Sequence, residues 1–274
     1  MFTITYSIIP RSFYCLRMAL PAAILIALIA LSVSCVRVQR TEPPTVLIAA
    51  ASDLIKVGQP LASAFEHSTG LRLRFSFSSS GQLEQQIRQG APFDIYAPAS
   101  RSFCQSLERD GLVDGEDKVY ATGRLVAWSQ TLHLHSLNDL KESRVTRVAI
   151  ANPQYAPYGL AAQQALQAAG LWWAIQPKLI YAETVAQAFQ LAETANVDVA
   201  LVARALVTDA ASSFLPVDQK LYRPIEQAAV VLNGSKNKQA AHAFLDFLLT
   251  AEAQRILHEY GFGPPQTAPK TSNR

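Results

Sequence analysis

The chain has 274 residues, half of them apolar, with 16% charged residues and a formal net charge of +3. That length suffices for one large domain or for two lobes with real cores. The near-neutral balance, without a basic stripe interleaved with aromatics, excludes a nucleic-acid binder.

The first 35 residues read as a targeting segment. Arg11 and Arg17 give a positive start, and Met18 to Val33 carries no charge and is apolar apart from Ser32. That run is short for a membrane-spanning helix. Leu31-Ser32-Val33-Ser34-Cys35 is similar to the lipobox of bacterial lipoproteins, in which the Cys is lipidated and becomes the new N-terminus. Ser32 stands where that pattern usually has Leu, so a plain cleaved signal peptide or an uncleaved anchor are the alternatives. On the lipobox reading residues 1–34 are a signal peptide, Cys35 is lipidated, and 35–44 is a tether ending in the stiff Pro43-Pro44 pair. Loss of residues 1–34 leaves the mature part at a charge of +1 with Cys104 as its only other cysteine, so no internal disulfide is expected. Phe103-Cys104 lies on a helical pattern, which predicts a buried small residue rather than a catalytic thiol.

From residue 45 strand and helix alternate. Val46 to Ala50 is a short apolar run, read as a buried strand. Ser52-Asp53 offers a helix start, and Leu54, Ile55, Leu61, Ala64 and Phe65 give helical spacing up to Gly70, with Pro60 splitting the segment. Leu71, Leu73, Phe75 and Phe77 alternate with polar residues as a strand, and Ser78-Ser79-Ser80-Gly81 leads into a helix closed by Gly90. Phe93 to Tyr96 is a strand, and Phe103, Leu107 and Gly111 mark a helix. Strands follow at Val148–Ala151, Leu179–Tyr181, Val197–Val202 and Ala228–Leu232, with helices over Leu160–Ala169 and Thr184–Thr194. The last third turns helical around Ala241 to Leu248 and Ile256 to Tyr260, and the end, from about Pro264, reads as a disordered tail. Strands separated by helices predict α/β sheets covered on both faces, and about 240 residues favour two lobes.

Two turns carry chemistry. Ligands of open α/β sheets bind beyond the carboxyl ends of strands, where the next helix offers unpaired N–H groups and the positive end of its dipole. A hydroxyl at such a turn adds a donor. Ser52 sits at one strand-to-helix turn and Ser78 to Ser80 at another, so two facing turns make an anion cage without Lys or Arg. A plain helix cap is the alternative for each serine taken alone.

The residues around these turns resemble the periplasmic molybdate-binding proteins of molybdate/tungstate ABC importers. Ala49-Ala50-Ala51-Ser52-Asp53-Leu54 is similar to that family's opening motif, and Ser78-Ser79-Ser80-Gly81-Gln82-Leu83 with Gln86-Ile87, Gly90-Ala91-Pro92 and Asp94 to its second. Asn152-Pro153 with Ala156-Pro157-Tyr158-Gly159 resembles the third. Gly170-Leu171-Trp172, Pro177-Lys178-Leu179, Val185, Ala251-Glu252-Ala253 and Tyr260-Gly261-Phe262 continue in register, so the resemblance spans about residues 45–263. It implies a two-lobed type II periplasmic-binding-protein fold, each lobe a mixed, mainly parallel sheet flanked by helices. Lobe one is then 45–124 plus 228–264, lobe two is 125–227, and 265–274 is the tail. The strands crossing between lobes lie near Arg124–Ala127 and Ile225–Val231.

The resemblance also implies the ligand contacts: the Ser52 and Ser80 hydroxyls, the backbone N–H groups of Tyr158, Val185 and Asp53, and Ser79 in a secondary role. Many members have a Tyr whose hydroxyl touches the anion at the place of Ala203. Here the Tyr158 hydroxyl is a candidate replacement. A carboxylate beside an anion is repulsive unless the ligand brings a proton, so the Asp53 side chain is expected to point away and complement the helix start.

Other residues give weaker signals. His133 and His135 are two apart, too few for a metal site without a third ligand. His67, His242 and His258 are expected on exposed helix faces, and Trp172-Trp173 is read as packing. No P-loop, H-E-x-x-H or G-x-S-x-G pattern occurs. The expectation is therefore a monomeric, non-enzymatic binding protein without a cofactor. It takes molybdate or tungstate at the outer face of the membrane, held there by a lipid anchor, and delivers it to an ABC permease and its ATPase. A sulfate- or phosphate-binding protein on the same fold is one alternative. An exported serine hydrolase is another, though it lacks an identifiable His and acid.

Overall fold

In the computed structural model, which describes residues 45–208 and 213–265, the short apolar runs become strands and the four-apart patterns become helices. The proposed signal segment 1–34, Cys35, the tether 35–44 and the tail beyond Pro265 lie outside the described residues.

The chain starts with β1 (Thr45–Ala51), whose inner residues are buried, then a 3-10 turn at Ser52–Leu54. Helix α1 (Gly58–Thr69) begins just beyond, with Pro60 in its first turn, where the missing N–H has no intrahelical partner to lose. Gly70 ends it with φ of 72°. Strand β2 (Arg72–Ser78), helix α2 (Ser80–Arg88), strand β3 (Ile95–Ala97) and helix α3 (Arg101–Arg109) follow. Strand β4 (Val113–Gly123) comes next and was not expected from the sequence. Its Asp114, Glu116, Asp117 and Lys118 hide the strand pattern, and charge is tolerated there because β4 is an edge strand.

At Arg124 the chain crosses into a second sheet: β5 (Leu125–Trp128), β6 (Val148–Ala151), helix α4 (Pro157–Ala168), the short α5 (Trp172–Ile175), β7 (Leu179–Ala182), α6 (Val185–Glu193), β8 (Val199–Ala203) and β9 (Phe214–Pro216). It returns through β10 (Ile225–Leu232), then α7 (Lys238–Phe247) and α8 (Ala251–Glu259). Strand β9, another short edge strand, had no signal in the sequence reading.

The sheets are ordered β2-β1-β3-β10-β4 and β7-β6-β8-β5-β9. The two orders match strand for strand, with β1 answering β6 and β2 answering β7. In each sheet the three strands that feed helices pair in parallel, while the others pair antiparallel. Gly123 and Ile225 pair with each other where the chain crosses between the sheets.

Each sheet buries its own core. Against the first, Phe65 of α1 meets Phe244 and Phe247 of α7 edge-on at 5.3 and 5.4 Å. Its other face packs Leu83, Ile87, Cys104 and Leu107 from α2 and α3. Cys104 is buried and free, as expected, and burial pushes its thiol up. In the second sheet Trp128 packs on Phe189 of α6 at 4.8 Å. Trp172 packs against this core, but Trp173 is 80% exposed, so the packing role read for the pair holds only for its first member. Residues adjacent on a one-turn helix point in different directions, and α5 has one face to bury.

Candidate functional site

Four turns from parallel strands into helices meet between the sheets. Two come from the first sheet, β1 to Ser52 and β2 to α2, and two from the second, β6 to α4 and β7 to α6. They meet crosswise. The N–H of Ala186, second residue of α6, donates to Ser52 Oγ at 3.3 Å, and the N–H of Gly81, second residue of α2, donates to the Tyr155 carbonyl before α4 at 2.9 Å. Gly159 brings the start of α4 up against β6. A Cβ there would lie 2.1 Å from the Ala151 carbonyl oxygen, so only glycine allows this approach.

The two serine hydroxyls are held alike. Ser52 Oγ accepts the Ala186 N–H, and Ser80 Oγ accepts the Ala99 N–H at 3.1 Å. Both serines are buried. A hydroxyl has one proton and two acceptor positions. With an acceptor position filled by a backbone donor, each keeps its proton to give. Neither serine caps its helix by a side-chain bond, so the cap alternative does not describe them. Ser79 differs: its hydroxyl donates to Gln82 Oε1 at 2.8 Å, beside Ser78, which donates to the same oxygen at 2.7 Å. Ser79 thus has no side-chain proton left for a ligand in this arrangement.

Val185 and Tyr158 are the first and second residues of α6 and α4, following Thr184 and Pro157. Their N–H groups belong to the helix first turn, which finds no partner within the helix. The Thr184 hydroxyl accepts the Gln187 N–H at 3.0 Å and so leaves the Val185 N–H untouched. Ala203 is buried at the end of β8, paired with Leu125.

The Tyr158 side chain carries the hydroxyl offered by the sequence for the missing tyrosine's contact. It runs to the crossing strands, where its hydroxyl lies 2.3 Å from the point a Cβ on Gly123 would occupy. There it adjoins Asp53, whose side chain is fully buried. Asp53 Oδ2 accepts the Gln227 amide at 2.8 Å. Desolvation pushes the Asp53 carboxyl up to about 7, against the Tyr158 hydroxyl, its own N–H and the Gln227 amide, which all pull it down. Burial and the neighbouring carboxyl hold the Tyr158 and Tyr120 hydroxyls well above the ordinary range. Asp53 Oδ1, Tyr158 OH, Tyr120 OH and Gln227 Oε1 are all buried without a well-aligned hydrogen-bond partner.

Gln227, Tyr120, Ala186 and Ala99 escaped the sequence reading, and Gly81 entered it as part of a motif, not as a donor across the sheets. Gln227 alone carried a signal, as one amide inside the apolar run of β10. The backbone donors leave none, because any residue type supplies an N–H. Asp94, in the second motif, is remote from the turns. It accepts the Leu47 N–H and the Ser235 hydroxyl at 2.8 and 2.6 Å, and its task is to hold strand ends together. Among the described residues no group of three or more His, Cys, Asp or Glu side chains is placed to hold a metal. His242 bonds Asp114 at 2.9 Å, outside the four turns.

Residues 46–263 match the family described as bacterial extracellular solute-binding protein. The chain belongs to that family. It is 36% identical over 221 residues to the molybdate-binding protein ModA of Rhodobacter capsulatus, covering 79% of this chain and 87% of that protein. It is 26% identical over 198 residues to the putative ABC transporter substrate-binding lipoprotein YvgL of Bacillus subtilis, covering 70% and 75%. The solved periplasmic molybdate-binding protein of Azotobacter vinelandii superposes with a TM-score of 0.77 at 30% identity, covering 81% of this chain and all of that one.

Proposed function

We infer that this solute-binding protein captures molybdate or tungstate between its two lobes and delivers it to an ABC permease and its ATPase. The observation that carries this is the pair of serine hydroxyls. Ser52 and Ser80 each have a backbone N–H on the oxygen and a proton left to donate, at turns without Lys or Arg. Such a cage offers donors only, which suits a fully deprotonated tetrahedral dianion. The Tyr158 and Val185 N–H groups complete it, and the Asp53 N–H is shared with its own carboxyl. Ser79 contributes by orienting Gln82 and the start of α2.

Asp53 separates this reading from a phosphate site. Hydrogen phosphate needs an acceptor for its proton, and the Asp53 carboxyl is engaged by Gln227 and faces Tyr158. The likeness to the Rhodobacter and Azotobacter proteins supports molybdate directly. The protein acts by binding rather than catalysis: both serines bond backbone N–H groups, and neither meets a His. Cys35 anchors the mature chain to the extracytoplasmic face through lipid, after removal of 1–34, with 35–44 as tether. Lobe one is 45–124 plus the return from β10 to about 264, and lobe two is the segment between, so the 125–227 bound read from the sequence shortens by the three residues of β10 that pair with β4. The protein works as a monomer.

Titration calorimetry of the mature chain tests the ligand class. Molybdate and tungstate bind tightly at neutral pH, sulfate more weakly because its shorter bonds leave donors out of reach, and phosphate most weakly. A protein that binds phosphate and ignores molybdate defeats the assignment.

A further inference from the structure

We propose that the Tyr158 hydroxyl and the Asp53 carboxyl form a latch behind the anion site, joining lobe two to lobe one when the lobes close and slowing ligand release without touching the ligand. The proposal rests on the anion reading above for its ligand and on the hinge geometry for its mechanism.

Asp53 follows Ser52 in the first lobe, and Gln227 binds it from β10 of the same sheet. Tyr158 comes from α4 of the second lobe, and its ring is buried. The contact therefore spans the lobes. It also sits on the hinge itself, because the tyrosine ring comes up against Gly123, which pairs with Ile225 where the chain crosses. A Cβ on Gly123 would lie 2.3 Å from the hydroxyl and 3.0 Å from an Ile225 methyl. Any rotation about that strand pair carries Tyr158 relative to Asp53.

The chemistry fits a contact that is made and broken. Asp53 Oδ1 and Tyr158 OH are both buried and unpaired by alignment, although they adjoin one another. Leaving both so is costly, and a small rotation brings a phenol donor onto a carboxyl oxygen. The groups facing Asp53 are Tyr158 from α4, Tyr120 from β4 and Gln227 from β10, none of them charged at neutral pH. Among the described residues no cation acts on that carboxyl, and its desolvation favours the pairing.

The test is stopped-flow binding of sodium molybdate to the mature wild type and to Tyr158→Phe, which keeps the ring and the backbone N–H. The variant releases molybdate about 10-fold faster, the scale of one buried hydrogen bond, with an unchanged association rate. Tyr158→Phe combined with Asp53→Ala binds no more weakly than Asp53→Ala alone. Gly123→Ala, which drives the hydroxyl off its place, releases molybdate faster to the same extent and serves if Asp53→Ala does not fold. Unchanged release from Tyr158→Phe overturns the latch. So do additive losses in the double variant, which put the hydroxyl on the anion instead. Small-angle scattering of the ligand-free proteins judges the latch separately: Tyr158→Phe has the larger radius of gyration, and equal radii count against it. If the wild type binds no molybdate, the anion reading falls while this comparison still decides the latch.

Discussion

The front and the back of the lobe junction are built on opposite rules. At the front, Ser52 and Ser80 each receive a backbone N–H on the oxygen, which leaves the hydroxyl proton free to donate. At the back, four buried oxygens on Asp53, Tyr120, Tyr158 and Gln227 stand without aligned partners. A preorganised donor set needs no rearrangement when an anion arrives, which is where affinity and selectivity come from. A buried cluster with unpaired groups on a hinge has bonds to gain from a small movement, which suits a moving part. Removing a front donor should therefore cost affinity outright, whereas changes at the back should act through closure.

The largest effect is expected at the front. A hydrogen bond to a charged group is worth about 1.5–3 kcal/mol, so Ser52→Ala and Ser80→Ala should each weaken molybdate binding about 10- to 150-fold. Calorimetry reads this directly. If both variants bind like wild type, the two hydroxyls are not the donors and the contrast between front and back collapses.

The front also depends on its backbone frame. Gly159→Ala sets a Cβ 2.1 Å from the Ala151 carbonyl oxygen, and neither is the loose end of a side chain. Overpacking of this kind costs about 1–3 kcal/mol of stability. Denaturant unfolding should show that loss, and binding should weaken because the Tyr158 N–H rides on the same turn. A variant of undiminished stability would mean that α4 and β6 can separate freely.

These expectations differ in how far the sequence foretold them. The placing of Ser52 and Ser80 at facing strand-to-helix turns was legible, because hydroxyls after apolar strand runs stand in recognisable motifs. The alternation of strands and helices was legible from apolar runs that β1, β6 and β8 bury on both faces. Strand β4 was not, since an edge strand with Asp114, Glu116, Asp117 and Lys118 has no apolar alternation to show. The back cluster was not legible either. Asp53 and Gln227 are 174 residues apart and meet only because β1 and β10 flank the same central strand.

Acidity separates front from back next. The Asp53 carboxyl is raised from 3.8 to about 7 by burial. In an open form, with water reaching it, its pKa lies nearer the ordinary value. Closure then takes up a proton. Binding is strongest at low pH, weakens by at most about tenfold per unit as pH rises between the ordinary value and 7, and levels off above 7. Fluorescence titration with micromolar molybdate from pH 5.5 to 8 checks this, with Asp53→Asn expected to be flat. A slope that survives in Asp53→Asn assigns the proton elsewhere.

The smallest effect should fall on Tyr120, which shares with Tyr158 a buried hydroxyl near Asp53. Both hydroxyls are buried without an aligned partner, and burial first and the Asp53 carboxyl second raise them. Tyr120, however, belongs to β4 in the same sheet as Gln227, so it reaches Asp53 from within the first lobe. Its hydroxyl gains nothing when the lobes close. Removing a buried hydroxyl that has no partner relieves its desolvation cost, so Tyr120→Phe should leave stability unchanged or raise it by up to about 1 kcal/mol. Molybdate release from Tyr120→Phe should match wild type, while Tyr158→Phe releases faster. If the two tyrosine variants change release equally, what matters at the back is the number of hydroxyls around Asp53, not the lobe that supplies them.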